Sequence, residues 1–276
     1  ISMYTEYQPS HLLVPYIDNY WEFKGNPDYG MRIHILPDGC TDFIFTLGEV
    51  ANAVEEGSLI MQPYRSYFVG PMTKYSELVT YTESIHMFGV RFLPCGLSCF
   101  TNLPLHEFVN SRVSTNEMKA VFDDTFIEKL GEQKHVTDRI RVVEEYLLAY
   151  LARHYQPADS HVAMAVNMIN HSKGKRSVRS LMDDVCLCQR HFERKFKHYT
   201  GFTPKEYSRI VKFKNAVELL RTTTSANLLT TAVDAGYYDL AHFSKEIKSM
   251  SGNTPASFLS LTVPEETTLT YIEPQR

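Results

Sequence analysis

Near its end, the chain repeats one short sequence element. Residues 191–204 read HFERKFKHYTGFTP and residues 242–255 read HFSKEIKSMSGNTP, and the two stretches align without a gap at a spacing of 51 residues. The aligned positions share a His-Phe pair, a Lys, a Gly and a Thr-Pro pair. A repeat of this kind predicts two copies of one structural unit rather than two unrelated helices.

Each copy follows a shorter helical segment across a tight turn, so the two units run over 177–199 and 228–250. Two helices joined in this way are the layout of a helix-turn-helix, whose second helix lies in a major groove of DNA. Apolar residues four positions apart share one face of a helix, and we predict that this face is buried. These residues are Phe192 and Phe196 in the first unit, and Phe243 and Ile247 in the second.

The opposite face of each second helix is the candidate DNA-binding surface. It comprises Gln189, Arg190, Glu193, Arg194 and Lys197 in the first unit, and Leu240, Ala241, Ser244, Lys245 and Lys248 in the second. Arg and Gln can read base edges through two hydrogen bonds, whereas Lys is better suited to phosphate. We therefore expect the first helix to carry more of the base reading and the second to act more as an anchor. An all-α domain with an ordinary solvated basic face is the alternative interpretation.

The distribution of charge supports a nucleic-acid partner for the C-terminal part only. The whole chain has a net charge of −4. Residues 1–156 hold 12 Lys and Arg against 20 Asp and Glu, a balance of −8, whereas residues 157–262 hold 15 against 9, a balance of +6. A basic segment joined to an acidic one indicates that the basic segment alone meets a polyanion.

The stretches CQRHFERKFKHYTGFTPKEY (188–207) and AVDAGYYDLAHFSKEIKSMSGNTPASF (232–258) resemble the DNA-binding domain of the AraC/XylS family of bacterial transcription regulators. The resemblance covers 159–261. It implies two helix-turn-helix units on a linker helix, asymmetric sites in double-stranded DNA, transcription activation and RNA polymerase as a partner. The base-facing positions that it implies are Gln189, Arg190, Glu193, Arg194, Leu240, Ala241, Ser244 and Lys245. Cys186 and Asp184 depart from the family pattern, which usually has Gly and a small residue there.

The fold class predicted for the whole chain is α+β. Short β-rich runs from about Met31 to Phe92, broken by turn signals such as Pro37-Asp38-Gly39, predict an antiparallel barrel or sandwich. Helical periodicity follows over 116–131 and 136–155, and Gln156-Pro157 then interrupts it. We predict a sensor or dimerisation domain over 3–156, a DNA-binding domain over 157–262 and a tail without clear periodicity over 263–276.

The N-terminal part resembles a domain found on many AraC-type regulators and, distantly, the cupin-like β-barrel sensor of the sugar-responsive members. The residues that carry this resemblance are LPDGCTDFIFTLG (36–48), VGPMT (69–73), FGVRFLPCG (88–96) and LPLHEF (103–108). It implies a small-molecule effector, for which the candidate residues are Trp21, His34, Phe45 and Arg91. Core positions for Trp21 and Phe45, and an ion pair of Arg91 with Asp38 or Asp42, are the alternatives.

Other functional classes find less support in the sequence. It has no phosphate-binding loop, no nucleophile elbow and no HExxH motif, so we predict no enzyme, no catalytic residues and no cofactor. No apolar run approaches the length of a membrane span, and the five cysteines are read as reduced thiols in a cytoplasm. Metal binding at His34 with Cys40, or at Cys95 with Cys99, is the minority interpretation. Two alternative functions remain open: a sensor of DNA alkylation or electrophiles through Cys40, and a ligand-free regulator that forms a homodimer through 136–155.

Overall fold

The strands of the N-terminal half form two antiparallel sheets. The computed structural model describes residues 3–48, 52–53, 61–118, 121–122, 124–185, 187–222, 228–259 and 270–272. The strands are β1 (Tyr4–Tyr7), β2 (Ile17–Gly25), β3 (Met31–Ile35), β4 (Thr41–Thr46), β5 (Asn52–Ala53), β6 (Ser66–Val69), β7 (Ser76–Thr80), β8 (Ile85–Phe92), β9 (Arg112–Ser114) and β10 (Thr270–Ile272). One sheet has the order β1-β2-β8-β4-β6-β9 and the other has the order β10-β3-β7-β5.

The helices follow the strands. They are α1 (Asp124–Gly131), α2 (Val136–Arg153), α3 (Ser160–His171), α4 (Val178–Val185), α5 (Gln189–Thr200), α6 (Pro204–Thr222), α7 (Leu228–Asp234), α8 (Leu240–Ser251) and α9 (Pro255–Leu259). The predicted α+β class is therefore confirmed. The helix predicted over 116–131 is shorter than expected, because Thr115–Glu117 forms a single 3-10 turn and α1 begins only at Asp124.

The six-stranded sheet is covered on both faces, and the alternation of side chains along its strands decides which residue meets which cover. On β8, Met87 packs with the smaller sheet, whereas Phe88 and Val90 pack with the helices. On β4, Ile44 faces the smaller sheet, and Phe45 contacts Phe126 of α1 with ring centroids 5.8 Å apart. The N-terminal half is thus a sandwich of two sheets with α1 and α2 as a third layer.

Gly89 has a defined role in this packing. It pairs with Trp21 of the neighbouring strand, and a Cβ atom at this position would lie 1.9 Å from Cε2 of the indole. Only glycine leaves room for the ring to lie across the backbone of β8.

The predicted tail contributes a strand. Residues 270–272 pair with β3 in the register Thr270 to Ile35, Tyr271 to His34 and Ile272 to Ile33. Other parts of the predicted 263–276 tail lie outside the described residues. A strand of three residues is too short to show a periodic pattern, so it cannot be recognised from the sequence.

Helix α2 is fastened to the large sheet by a buried arginine. Arg139 is 5% exposed. Its Nη1 donates to Glu22 Oε1 at 3.0 Å, its Nη2 to the Gln133 carbonyl at 2.6 Å and its Nε to the Leu130 carbonyl at 3.3 Å. The same Glu22 oxygen lies 2.9 Å from His86 Nε2. One guanidinium therefore joins a strand, the end of α1 and the start of α2.

We expect the Arg139→Ala substitution to lower the free energy of unfolding of the N-terminal half by about 1–3 kcal/mol, because it leaves two carbonyls without this donor and the half-buried Glu22 carboxylate with His86 alone. Arg141→Ala is the matched control. Arg141 lies two residues further along α2, and its side chain is 62% exposed in its ion pairs, so its loss should cost less than about 1 kcal/mol. Urea unfolding followed by Trp21, the single tryptophan of the chain, measures both. Equal midpoints for the two variants would contradict this role of Arg139.

Candidate DNA interface and the contact between the domains

The first helix-turn-helix unit consists of α4 and α5. Phe192 and Phe196 are fully buried, as the spacing predicted, and they pack in the core of the C-terminal half. Helix α5 ends at Gly201, whose φ of 83° is left-handed and whose N–H donates to the Lys197 carbonyl. A glycine at this position ends the helix at no steric cost, which accounts for the first Gly of the repeat.

The second unit, α7 and α8, ends in the same way. Phe243 and Ile247 are fully buried, and α8 ends at Gly252 with a φ of 76°. Its start is better capped than that of α5, because the side chain of Asp239 accepts a hydrogen bond from the His242 N–H at 2.7 Å. The two copies therefore share their buried anchors and their C-terminal ends, and differ where the helices begin.

The Thr-Pro pair of each copy starts the next helix. Thr203 and Glu206 form a capping box, in which Thr203 N donates to Glu206 Oε2 at 2.7 Å and Glu206 N donates to Thr203 Oγ1 at 3.2 Å. Thr254 caps the start of α9, because its Oγ1 accepts a hydrogen bond from the Ser257 N–H at 3.1 Å. The repeated Gly-x-Thr-Pro is thus the end of one helix followed directly by the start of another.

The structure places the predicted DNA-binding residues of α5 on its solvent side. Arg190, Arg194 and Lys197 are exposed. Gln189 is also exposed, and its Nε2 donates to Oε1 of the half-buried Glu193 at 2.9 Å. This bond holds the Gln189 amide along the helix, so the two arginines are the longer side chains that reach outward from this face.

The corresponding face of α8 is more apolar. Leu240, Ala241 and Lys245 are exposed, and Ser244 is half-buried. Directly before the Asp239 cap, Tyr238 is 91% exposed, and the sequence pattern did not single it out. The sequence alone does not show which of the two adjacent tyrosines is exposed. In the structure the Tyr237 ring is buried in the core, and Tyr238 points to solvent.

Helix α6 fixes the two units relative to each other. Arg209 of α6 binds Glu246 of α8 through two hydrogen bonds, of 2.7 and 3.1 Å. Tyr207 of α6 is buried, and its hydroxyl donates to Asn170 Oδ1 of α3 at 2.9 Å. In the first unit, Asp184 forms an ion pair with Arg176, whereas Cys186 lies outside the described residues.

A loop of the N-terminal half contacts the ends of both candidate recognition helices. We call residues 70–75, which follow β6, the exit loop. A Cβ at Gly201 would lie 2.5 Å from Pro71 Cγ, and a Cβ at Gly252 would lie 2.8 Å from Tyr75 Cζ. The left-handed glycines that end α5 and α8 therefore also allow the exit loop to approach both helices closely.

The Pro37-Asp38-Gly39 turn makes a second contact, with α6. Lys214 Nζ donates to the Asp38 carbonyl at 3.3 Å. Gly39 has a φ of 86°, and a Cβ on it would lie 2.7 Å from Tyr207 Cε2. Leu36, just before the turn, packs in the buried core of the C-terminal half. The predicted turn is thus present, and it serves as a contact between the halves.

Two of the predicted effector residues meet at one pocket. Trp21 and Arg91 line a pocket of about 40 Å³ between the two sheets, which we call the inter-sheet pocket. Arg91 is buried, and its Nε lies 3.2 Å from Asp42 and 3.5 Å from Asp38. Trp21 Nε1 donates to the same Asp42 at 2.7 Å. Burial raises the pKa of the Asp42 carboxyl, and the nearby Arg91 opposes that shift.

The other two predicted effector residues lie elsewhere because of strand alternation. Phe45 is one position out of phase with Ile44 of the inter-sheet pocket, so it packs with the helices. His34 is out of phase with Ile33 and Ile35, which line the pocket. Its Nε2 lies 3.3 Å from Glu77 Oε2, and its ring stacks on Tyr75 of the exit loop at 6.0 Å. The four residues are therefore not brought together at one cavity.

The cysteines of the N-terminal half are shielded. Cys40 is 6% exposed, and burial, assisted by Asp38, raises the pKa of its thiol well above the usual value. Burial also raises the pKa of Cys95 and of Cys99. A thiol held neutral and covered is a poor nucleophile, so this geometry gives the alternative of an electrophile sensor at Cys40 no support. In the described part of the chain, no three His, Cys, Asp or Glu side chains are grouped to hold a metal ion.

The helices within the described ranges also include none that is long and apolar enough to cross a membrane.

Comparison with known families gives two matches. Residues 181–260 match the family described as "Helix-turn-helix domain", and residues 5–114 match "Domain of unknown function (DUF6597)". No curated protein matches the sequence. The resemblance of the C-terminal part to the AraC type of helix-turn-helix domain is confirmed.

Solved structures with the same fold include ToxT from Vibrio cholerae. In its P21 crystal form, ToxT matches with a TM-score of 0.51 and 9% identity, over 87% of this chain and 98% of that one. ToxT bound to (E)-4-(8-methylnaphthalen-1-yl)but-3-enoic acid gives the same values. The DNA-binding domain of AdpA, solved with a target DNA, covers 37% of this chain and 92% of its own, with 19% identity and a TM-score of 0.35. At 9% identity the likeness to ToxT concerns the fold.

We expect the Gly39→Ala substitution to weaken the contact between the halves, because its methyl group would collide with the Tyr207 ring of α6. Gly30→Ala is the matched control: Gly30 has a φ of 78°, but the nearest atom to its Cβ position is 4.0 Å away. Both variants carry the left-handed strain of about 1–2 kcal/mol, but only Gly39→Ala adds the collision with Tyr207. Only Gly39→Ala should therefore show faster trypsin cleavage after Arg153, the last residue of α2. Identical cleavage rates would mean that the turn does not hold the halves together.

Proposed function

We propose that this chain, whose residues 181–260 match a helix-turn-helix domain family and resemble the AraC type of that domain, is a transcription regulator that binds double-stranded DNA at specific sequences. The observation that carries the proposal is the pair of α5 and α8. Both helices bury their apolar anchors, both end at a left-handed glycine, and both leave the opposite face open to solvent. Two such helices on one connecting helix are suited to two turns of the same DNA groove.

We assign direct base reading mainly to α5. Arg190 and Arg194 are long, exposed and four positions apart, so both point into the same groove when α5 lies there. Arg is the side chain that most often reads guanine, through two hydrogen bonds. On α8, Leu240 and Ala241 offer apolar contact and Lys245 offers a phosphate contact, so this helix anchors more than it reads. Such unequal helices fit an asymmetric site.

Control by the N-terminal half is the second part of the proposal. Val69 and Met72 line the inter-sheet pocket, and the exit loop that includes Met72 contacts the ends of α5 and α8. A molecule larger than this pocket of about 40 Å³ has to displace some of its lining residues, and Met72 is the lining residue that belongs to the exit loop, so a displacement there would reach the ends of α5 and α8. ToxT, which has this fold, has been solved with a naphthalenyl butenoic acid bound, and this supports a small-molecule effector for the present chain.

The charge of the inter-sheet pocket limits which effector it suits. Arg91 is already neutralised by Asp42 and Asp38, so it has little to offer a carboxylate, and the remaining walls are mostly aromatic and aliphatic. Trp21 and Arg91 remain the predicted effector contacts there. RNA polymerase as a partner, activation of transcription and a homodimer are further proposals that follow from the resemblance to AraC/XylS regulators. Nothing in this scheme requires enzymatic activity.

We expect Arg190→Ala and Arg194→Ala each to weaken binding to a preferred DNA site by about 1–3 kcal/mol and to relax the base preference at the contacted position. The preferred site is obtained by selection from random duplexes with the full chain, and affinities are measured by fluorescence anisotropy at fixed salt. Lys245→Ala should instead weaken all sequences alike and make binding less dependent on salt.

Arg153→Ala is the matched control, because it removes an exposed arginine from α2, outside the candidate interface. If Arg194→Ala binds the selected site as tightly as Arg153→Ala does, α5 does not dock in the way proposed.

A further inference from the structure

An open cleft of about 380 Å³ lies at the contact between the two halves. We call it the interdomain cleft. One wall is the turn Pro94-Cys95-Gly96, a second is the connection 155–158, and the third is α3. It is distinct from the inter-sheet pocket, with which it shares no lining residue. Its volume lies in the range of about 300–1,000 Å³ typical of small-molecule sites.

The wall formed by the turn is rigid. Cys95 is buried and adopts a φ of 69°, a left-handed conformation that a residue with a side chain seldom adopts. A Cβ on the adjacent Gly96 would lie 2.2 Å from the Tyr16 carbonyl oxygen, so this glycine permits the close approach of another segment. Cys95 also packs in the core of the C-terminal half. The turn is therefore held in place from both halves.

The chemistry of the cleft is uncharged. None of the side chains that line it is Asp, Glu, Lys, Arg or His. Pro94, Ala163 and Val166 supply apolar surface, and the side-chain amides of Asn167 and Asn170 supply polar groups. Asn170 Oδ1 already accepts the Tyr207 hydroxyl, so its NH₂ group is the part that remains to donate. A charged molecule would lose its hydration here without gaining a counter-charge.

We propose that the interdomain cleft binds an uncharged, mainly apolar small molecule that offers hydrogen-bond partners to Asn167 and Asn170. The proposal deepens the proposed function, since a molecule here touches the N-terminal half and α3 together. The binding step itself rests on the cleft alone and can be measured without DNA.

The test uses the full chain and N-phenyl-1-naphthylamine, a neutral aromatic amine whose fluorescence rises when it leaves water. We expect saturable binding at one site. Ala163→Trp fills the cleft and should weaken the affinity by about tenfold or more, equivalent to at least ~1.4 kcal/mol. Ala152→Trp adds the same ring on the exposed side of α2 and should leave binding unchanged.

Asn167→Trp is the second filling variant, because Asn167 is exposed and lines the cleft, so a larger side chain there does not disturb the core. It should weaken binding as Ala163→Trp does. Met72→Trp, which fills the inter-sheet pocket instead, should not. Absence of saturable binding, or equal binding by wild type and both filled variants, would overturn the proposal. So would loss of binding in Met72→Trp alone.

A parallel measurement separates this proposal from the proposed function. The same protein samples are titrated with the selected DNA site. Suppose that the wild-type chain binds no selected duplex but still binds the dye, and that Ala163→Trp and Asn167→Trp still weaken dye binding. That result counts against DNA recognition and supports the cleft site.

Discussion

The structure depends on how the two recognition helices end. A helix that stops at a left-handed residue favours glycine there, because a Cβ atom would crowd the following carbonyl oxygen at a cost of about 1–2 kcal/mol. Gly201 and Gly252 meet this requirement, and the absence of a side chain has a second effect: it lets Pro71 and Tyr75 come closer than a Cβ would permit. The same two glycines thus end α5 and α8 and allow the N-terminal half to pack against these helix ends. The glycines that the helix ends favour are therefore also the residues where the two halves meet.

The division of the six-stranded sheet into two faces organises the rest. Residues of one parity meet the smaller sheet, where Trp21, Asp42 and Arg91 form a hydrogen-bonded cluster, and residues of the other parity meet α1 and α2. The exit loop leaves the sheet at the end of β6, beside the inter-sheet pocket. Because protein interiors are packed tightly, a change in this pocket cannot be absorbed locally.

How much of this follows from the sequence differs between the halves. The repeat at 191 and 242 predicted the buried faces, the helix ends and the exposed residues of α5 and α8, because helical spacing is a local property. It missed Tyr238, since the exposure of one of two adjacent tyrosines depends on the core that receives the other. In the N-terminal half, residue type suggested Phe45 and His34 as effector contacts, whereas the phase of each strand put them on other faces. The interdomain cleft was out of reach altogether, because it joins residues 15–16, 93–99 and 155–170 that only the assembled fold brings together.

The pairing of β10 with β3 has a consequence for how the two halves can separate. The candidate recognition helices are connected to the N-terminal half through 154–159 on one side, and the chain returns to the N-terminal half where Thr270–Ile272 joins the smaller sheet. The helical part is therefore held at both of its ends, by the peptide chain at 154–159 and by the hydrogen-bonded pairing of β10 with β3. With both tethers engaged, the two surfaces meet at a high effective concentration, so weak individual contacts are enough to keep them together. If α5 and α8 reorient when they bind DNA in the way proposed, either β10 detaches from β3 or the motion is a small rotation about the two attachment points. The pairing of the three-residue strand β10 with β3 therefore limits how far the two halves can separate.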